Sequence, residues 1–67
     1  MLNAIVRFHI DYGYAPTVRD VQASLGIALA TTHKRLSLLR ERGLVHWNTG
    51  QVRTLVVTLL GNELLAL

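Results

Sequence analysis

Between Thr17 and Gly43 the chain reads TVRDVQASLGIALATTHKRLSLLRERG, two helical patterns separated by one glycine and a few connecting residues. Thr17 is a good N-cap residue, and Asp20 three places on suits the positive end of a helix, a weak form of the capping box. Val18, Val21, Gln22 and Leu25 follow at helical spacing, and Gly26 ends the run because a left-handed C-cap costs glycine nothing. In the second pattern Leu29, Thr32, Leu36 and Leu39 share one face, and Gly43 closes it. Two short helices joined by a glycine turn, the second longer and basic, have the layout of a helix-turn-helix, expected over residues 17–43.

The flanking segments complete an arrangement around that pair. Leu2, Ile5, Val6 and Ile10, with His9 on the same arc, predict an amphipathic helix from Leu2 to about Tyr12, closed by Gly13. Pro16 disfavours helix at Ala15, so the connection should be extended, with Tyr12 and Tyr14 packing across it. After Gly43 the period changes. Leu44-Val45-His46-Trp47 and Gln51–Thr58 are β-prone runs about an Asn48-Thr49-Gly50 turn, which predicts a hairpin over 44–58 with Trp47 covering the edge of the core beneath it. Residues 61–67 carry Leu64, Leu65 and Leu67 and are expected as a short helix or an apolar tail. The expected fold is therefore mainly α with a small β-hairpin, a three-helix winged helix-turn-helix in one domain over residues 1–67.

Composition limits what such a domain can be. A 67-residue chain buries only about 60% of the surface its unfolded form exposes, so it needs an apolar-rich sequence, and 51% of these residues are hydrophobic. The net charge of +3 points towards a polyanion as partner, although ordinary solubility charge reaches the same size. There is no cysteine, hence no disulfide and no thiolate metal site, which fits a reducing cytoplasm. No apolar run approaches the roughly 18 residues of a membrane span. The first residues, MLNAIVRFHIDYG, do not read as a signal peptide, because Arg7 and Asp11 interrupt the apolar part.

On YGYAPTVRDVQASLG, with its glycine, proline, Thr-x-Arg and Leu-Gly pattern, and on KRLSLLRERGLV, the stretch from about Leu2 to Leu59 resembles the N-terminal DNA-binding domain of LexA-type repressors. RLSLLRERGLV is also shared with other winged-helix families, MarR-like and similar. TLLGNELLAL is similar to the Thr-x-x-Gly-x-x-Leu-Leu segment that follows the wing in such families. Gln22 stands where the family has alanine at the tightest point of the second helix. Ala28 stands where serine or threonine often caps the third, at a cost of about 1 kcal/mol. The resemblance implies duplex DNA as partner and a self-cleaving serine peptidase domain in the full repressor. Sixty-seven residues cannot hold that domain, so the expectation is a regulator of LexA-like type lacking it.

On the third helix the arc opposite the leucines holds Ala30, His33, Lys34, Ser37 and Glu41, with Arg40 at its edge. The N-terminal part of such an arc enters the major groove. Lys34 can donate to guanine O6 and N7 or to a phosphate, His33 can donate or accept, and Ser37 serves either way. Ala30 and the turn residue Ala28 can touch a thymine methyl. A solvated helix face is the plainer alternative for all of them. Arg35 and Arg40 suit phosphates or surface ion pairs better than bases. By the resemblance, Arg19 sits where relatives meet the DNA backbone, and Thr17 can offer its N–H to a phosphate, with N-capping as its more ordinary work. In the wing, Gln51 and Arg53 are candidates for the minor groove or backbone, against the alternative of exposed hairpin charge. The recognition face is thin, so a homodimer through Leu64, Leu65 and Leu67 is a further expectation.

Nothing points to catalysis. His9, His33 and His46 lack ligand spacing, the carboxylates Asp11, Asp20, Glu41 and Glu63 show no pairing, and no phosphate loop or nucleophile motif occurs. The expectations are no catalytic residues, no metal and no cofactor. The leading reading is sequence-specific duplex DNA binding in the cytoplasm. Its rival, supported by the leucine excess, is a winged helix that serves as a protein–protein assembly module.

Overall fold

The computed structural model describes residues 1–66. In chain order the elements are α1 (Leu2–Tyr12), α2 (Val18–Leu25), α3 (Leu29–Glu41), β1 (Val45–His46), β2 (Val56–Val57) and α4 (Leu59–Ala66). The start of α2 is fixed reciprocally. The Asp20 N–H donates to Thr17 Oγ1 at 3.1 Å and the Thr17 N–H donates to Asp20 Oδ2 at 2.9 Å, so two otherwise orphaned donors are satisfied at once. Gly26 closes α2 at φ 66°, in the left-handed region. Gln22 uses the alanine-replacing amide to bind the turn, donating Nε2–H to the Ile27 carbonyl at 2.9 Å. The α3 start has no side-chain cap at Ala28, as the sequence suggests. Instead the buried Thr32 hydroxyl donates back to the Ala28 carbonyl at 3.0 Å, so this polar group enters the core already paired.

The core takes one residue from each of α1, α2, α3 and β1 and one from the wing loop: Ile5, Val21, Leu36, Val45 and Leu55, with Met1, Leu2, Val18, Leu39, Trp47 and Val57 packed around them. Burying each of the five central side chains contributes about 1.5–3 kcal/mol. On α1 the expected apolar face reaches the core only through its first half. His9 is exposed and Ile10 is 73% exposed, and both line an open recess with Val56, Val57 and Asn62. Phe8, Tyr12 and Tyr14 stack there as a trio, with the Tyr rings 6.0 Å apart, which matches the expected packing across the connection. Leu25, read as a core position, lies exposed at the last turn of α2.

One feature departs from the sequence reading. The hairpin is much shorter than the β-prone runs imply: Val45 pairs with Val57 and His46 with Val56, antiparallel, and the residues between them form a loop rather than a tight turn. The Thr54 hydroxyl explains this. It accepts the Asn48 N–H at 2.8 Å and lies 3.2 Å from the Gln51 carbonyl, so side-chain bonds replace the ladder. Arg53 adopts φ 56°, which no strand accommodates, and Leu55 is drawn into the core. The C-terminal segment takes the helical one of its two expected forms, as α4, which begins at Leu59, two residues before the expected start. Thr58 caps it, accepting the Gly61 N–H at 3.1 Å while donating to the Gly43 carbonyl at 2.6 Å. The architecture is a three-helix winged helix-turn-helix with an added C-terminal helix. Leu67 lies outside the described residues.

Candidate nucleic-acid interface

Because Thr32 and Leu36 face inward on α3, the residues at Ala30, His33, Lys34 and Ser37 must face outward, and all four are exposed. They fall within one arc spanning two turns, with Glu41 continuing it. No ion pair engages Lys34, and neither His33 nor Ser37 makes a side-chain bond to the rest of the chain among the described residues. The arc therefore presents one cation, one donor–acceptor ring, one hydroxyl and one methyl to solvent. Ala28, exposed at the helix start, extends it. Arg35 is exposed too, but sits roughly 140° round the helix from Ala30 at 100° per residue, beside Leu38 and Arg42 rather than on this arc.

At the start of α2, Arg19 is exposed. Thr17 is placed differently from one of its two expected roles. Its N–H is held by the Asp20 carboxylate, so the amide proposed for a phosphate is engaged within the chain and N-capping is the observed work. The Asp20 carboxyl lies below its ordinary value of 3.8, chiefly because the Thr17 N–H donates to it. Partial burial opposes the shift, and the Thr17 side chain and the Arg53 guanidinium add to it.

The wing holds contacts that the local sequence does not show. Gln51 is exposed, and its Oε1 accepts from Asn48 Nδ2 at 3.2 Å. Arg53, expected at the minor groove or backbone or else as an exposed hairpin charge, keeps 44% of its side chain exposed while turning onto the body of the domain. Its Nη1 donates to the Ala15 carbonyl and to Asp20 Oδ2, both at 3.2 Å, and its guanidinium carbon sits 4.6 Å from the Tyr14 ring centre. Arg40, expected at the edge of the groove arc, covers the indole of Trp47 at 4.3 Å and donates to the Trp47 carbonyl at 3.1 Å. Trp47 itself is half-buried against the core, as expected. An arginine in reach of an aromatic ring was the available signal, but the pairs are 7 and 39 residues apart, so only the second needs the fold to bring it together. Below the wing a recess of about 160 Å³ is lined by Pro16, Val18, Trp47, Val52 and Leu55 among others.

Among the described residues no three His, Cys, Asp or Glu side chains are grouped to hold a metal ion. No described helix is long and apolar enough to cross a membrane.

The family described as the LexA DNA binding domain matches residues 1–54. The chain is 38% identical over 56 residues to a LexA repressor of Ligilactobacillus salivarius, covering 82% of this chain and 27% of that protein. It is 35% identical over 57 residues to a LexA repressor of Oleidesulfovibrio alaskensis, covering 85% of this chain and 28% of that one. With a LexA repressor of Limosilactobacillus reuteri it shares 33% identity over 66 residues, 97% of this chain and 32% of the relative. The chain thus spans under a third of the length of these relatives. No solved structure matches it. The matched span takes in α1, α2, α3, β1 and most of the wing loop, and on that evidence the chain belongs to the LexA DNA-binding domain family.

Proposed function

We propose that this chain is a DNA-binding transcriptional regulator that lays the N-terminal half of α3 in the major groove of duplex DNA. The observation that carries the reading is the solvent-facing arc of Ala30, His33, Lys34 and Ser37, held rigidly by inward Thr32 and Leu36 in a chain of this family. Lys34 donates to guanine O6 and N7 or to a phosphate, His33 and Ser37 bond to base edges, and Ala28 and Ala30 meet thymine methyls. Arg19 and Arg35 neutralise phosphates on either side, and Gln51 approaches from the wing. Such work places the protein with the DNA in the cytoplasm.

The arc is thin, so two copies reading two half-sites supply the affinity one lacks. Leu60 and Leu64, 49% and 46% exposed and one turn apart on α4, form the seam of that dimer. Leu65, half-buried, braces it from behind. Selection from random duplex DNA at physiological salt tests the whole reading. A recovered consensus with two-fold symmetry is the expected result, and enrichment of no sequence overturns it. Retention of a protein partner through α4 without any duplex affinity would support the assembly-module alternative.

A further inference from the structure

The wing loop is fastened at both ends by the same device. At residue 47 the Arg40 guanidinium lies over the Trp47 ring and binds its carbonyl. At residue 53 the Arg53 guanidinium lies over Tyr14, binds the Ala15 carbonyl and pairs with Asp20 in the α2 cap. Across this stretch Asn48, Gln51 and Thr54 are knitted together by bonds of 2.8–3.2 Å. The tip itself, Asn48–Val52, carries no charge, and Val52 is 82% exposed. Arg53 also holds a backbone φ of 56°, which a non-glycine residue adopts only where its surroundings impose it.

We propose that Arg53 is a positioning residue: it ties the wing to the start of α2 and so presents Gln51 and Val52 to the nucleic acid, rather than contacting the nucleic acid itself. This rests on the DNA-binding reading above. The chemistry separates the two roles. A guanidinium that neutralises a phosphate contributes to counterion release, and its loss lowers the slope of log affinity against log salt by about 0.9. A guanidinium that only sets the wing governs neutral contacts made by Asn48–Val52, so its loss weakens binding with the slope unchanged. Holding the loop in its bound shape beforehand removes an ordering cost from association, which is where the affinity comes from.

The test uses Arg53→Asn, which tolerates the left-handed backbone, Arg53→Lys, which keeps the charge without the planar stack, and Tyr14→Leu, which removes the ring under the guanidinium. In the free chain, amide exchange at Asn48 and Gln51 should quicken about tenfold or more in all three, with α1 and α3 amides unchanged. On a mixed-sequence duplex, Arg53→Asn and Arg53→Lys should both weaken binding by roughly tenfold at an unaltered salt slope. Unchanged exchange overturns the proposal, as does a slope reduced by about 0.9 in Arg53→Asn and restored in Arg53→Lys. If the unmodified chain binds no duplex, the DNA reading fails, and the claim that Arg53 presents the wing to nucleic acid falls with it. Exchange then reports only whether the tie exists.

Discussion

Gly61, in the first turns of α4, faces the backbone of Leu44 with no room for a side chain: a Cβ built there would overlap the Leu44 carbonyl oxygen and come within 2.6 Å of Val57 Cγ1. The helix that follows the wing is thus seated directly on the start of β1. In an exposed helix interior, glycine to alanine gains about 1 kcal/mol. Here overpacking against backbone, which costs about 1–3 kcal/mol, wins. Gly61→Ala should therefore lower Tm, by roughly 4–8 °C per kcal/mol lost in a domain this size, while Leu59→Ala, at a 78% exposed neighbour, should leave it nearly unchanged. Thermal unfolding followed by circular dichroism decides it. A Gly61→Ala variant as stable as the parent would mean that α4 is not docked on Leu44.

Asp20 links acid stability to the wing. Its carboxyl is held below 3.8 mainly by the Thr17 N–H, with the Thr17 side chain and Arg53 contributing against partial burial. A folded-state value below the unfolded one gives stability that is fully present above the unfolded value and is lost as pH falls through the folded one. The parent should accordingly lose stability on acidification below about pH 4, and Asp20→Asn should remove part of that slope while lowering stability at neutral pH. Urea unfolding at a series of pH values measures both. Equal acid slopes in parent and variant would show that the carboxylate is not engaged in the folded state.

What the sequence exposed, and what it hid, divides by range. The capping of α2 by Thr17 and Asp20, the glycine stops at Gly13 and Gly26, and the inward face of α3 all follow from interactions within a few residues, and each is present where the spacing implies. The short hairpin is not legible in the sequence because β propensity says nothing about the Thr54 hydroxyl, which competes for the Asn48 amide. Ile10 and His9 fit a helical arc, yet periodicity tells only which residues share a face, not how far other elements cover it. Arg53 looked like a wing charge for the same reason, since its partners Tyr14, Ala15 and Asp20 lie more than thirty residues earlier. Thr58 and Gly61, by contrast, fall in the Thr-x-x-Gly-x-x-Leu-Leu segment, and of the two forms open to the residues after it the helix is the one observed.

Lys34 is the residue on the α3 arc with the most to lose. If it donates to a guanine, Lys34→Ala should cost about 1–3 kcal/mol on the preferred duplex and relax the preference at one base position. Arg19→Ala should instead weaken all duplexes alike and lower the salt slope by about 0.9. Fluorescence anisotropy on the selected duplex and on single-base variants, across a salt series, separates the two. Identical behaviour of the two variants would mean that Lys34 reads no base.

Leu59, Leu60 and Leu64 leave α4 with more exposed apolar side chain than its length needs, while Leu65 turns partly inward against the domain. A seam made by one such helix from each copy is small, so the dimer should be weak in solution and stabilised when both copies sit on DNA, where the second association becomes intramolecular. Sedimentation of the free chain should show dimer growing in through the high micromolar range, and Leu60→Lys with Leu64→Lys should return it to monomer without lowering Tm, because both positions are half-exposed. On a duplex bearing two half-sites the same pair of substitutions should abolish cooperative binding but leave binding to a single half-site intact. A parent that stays monomeric at high micromolar concentration and binds paired half-sites independently would assign the α4 leucines to something other than a second copy of this chain.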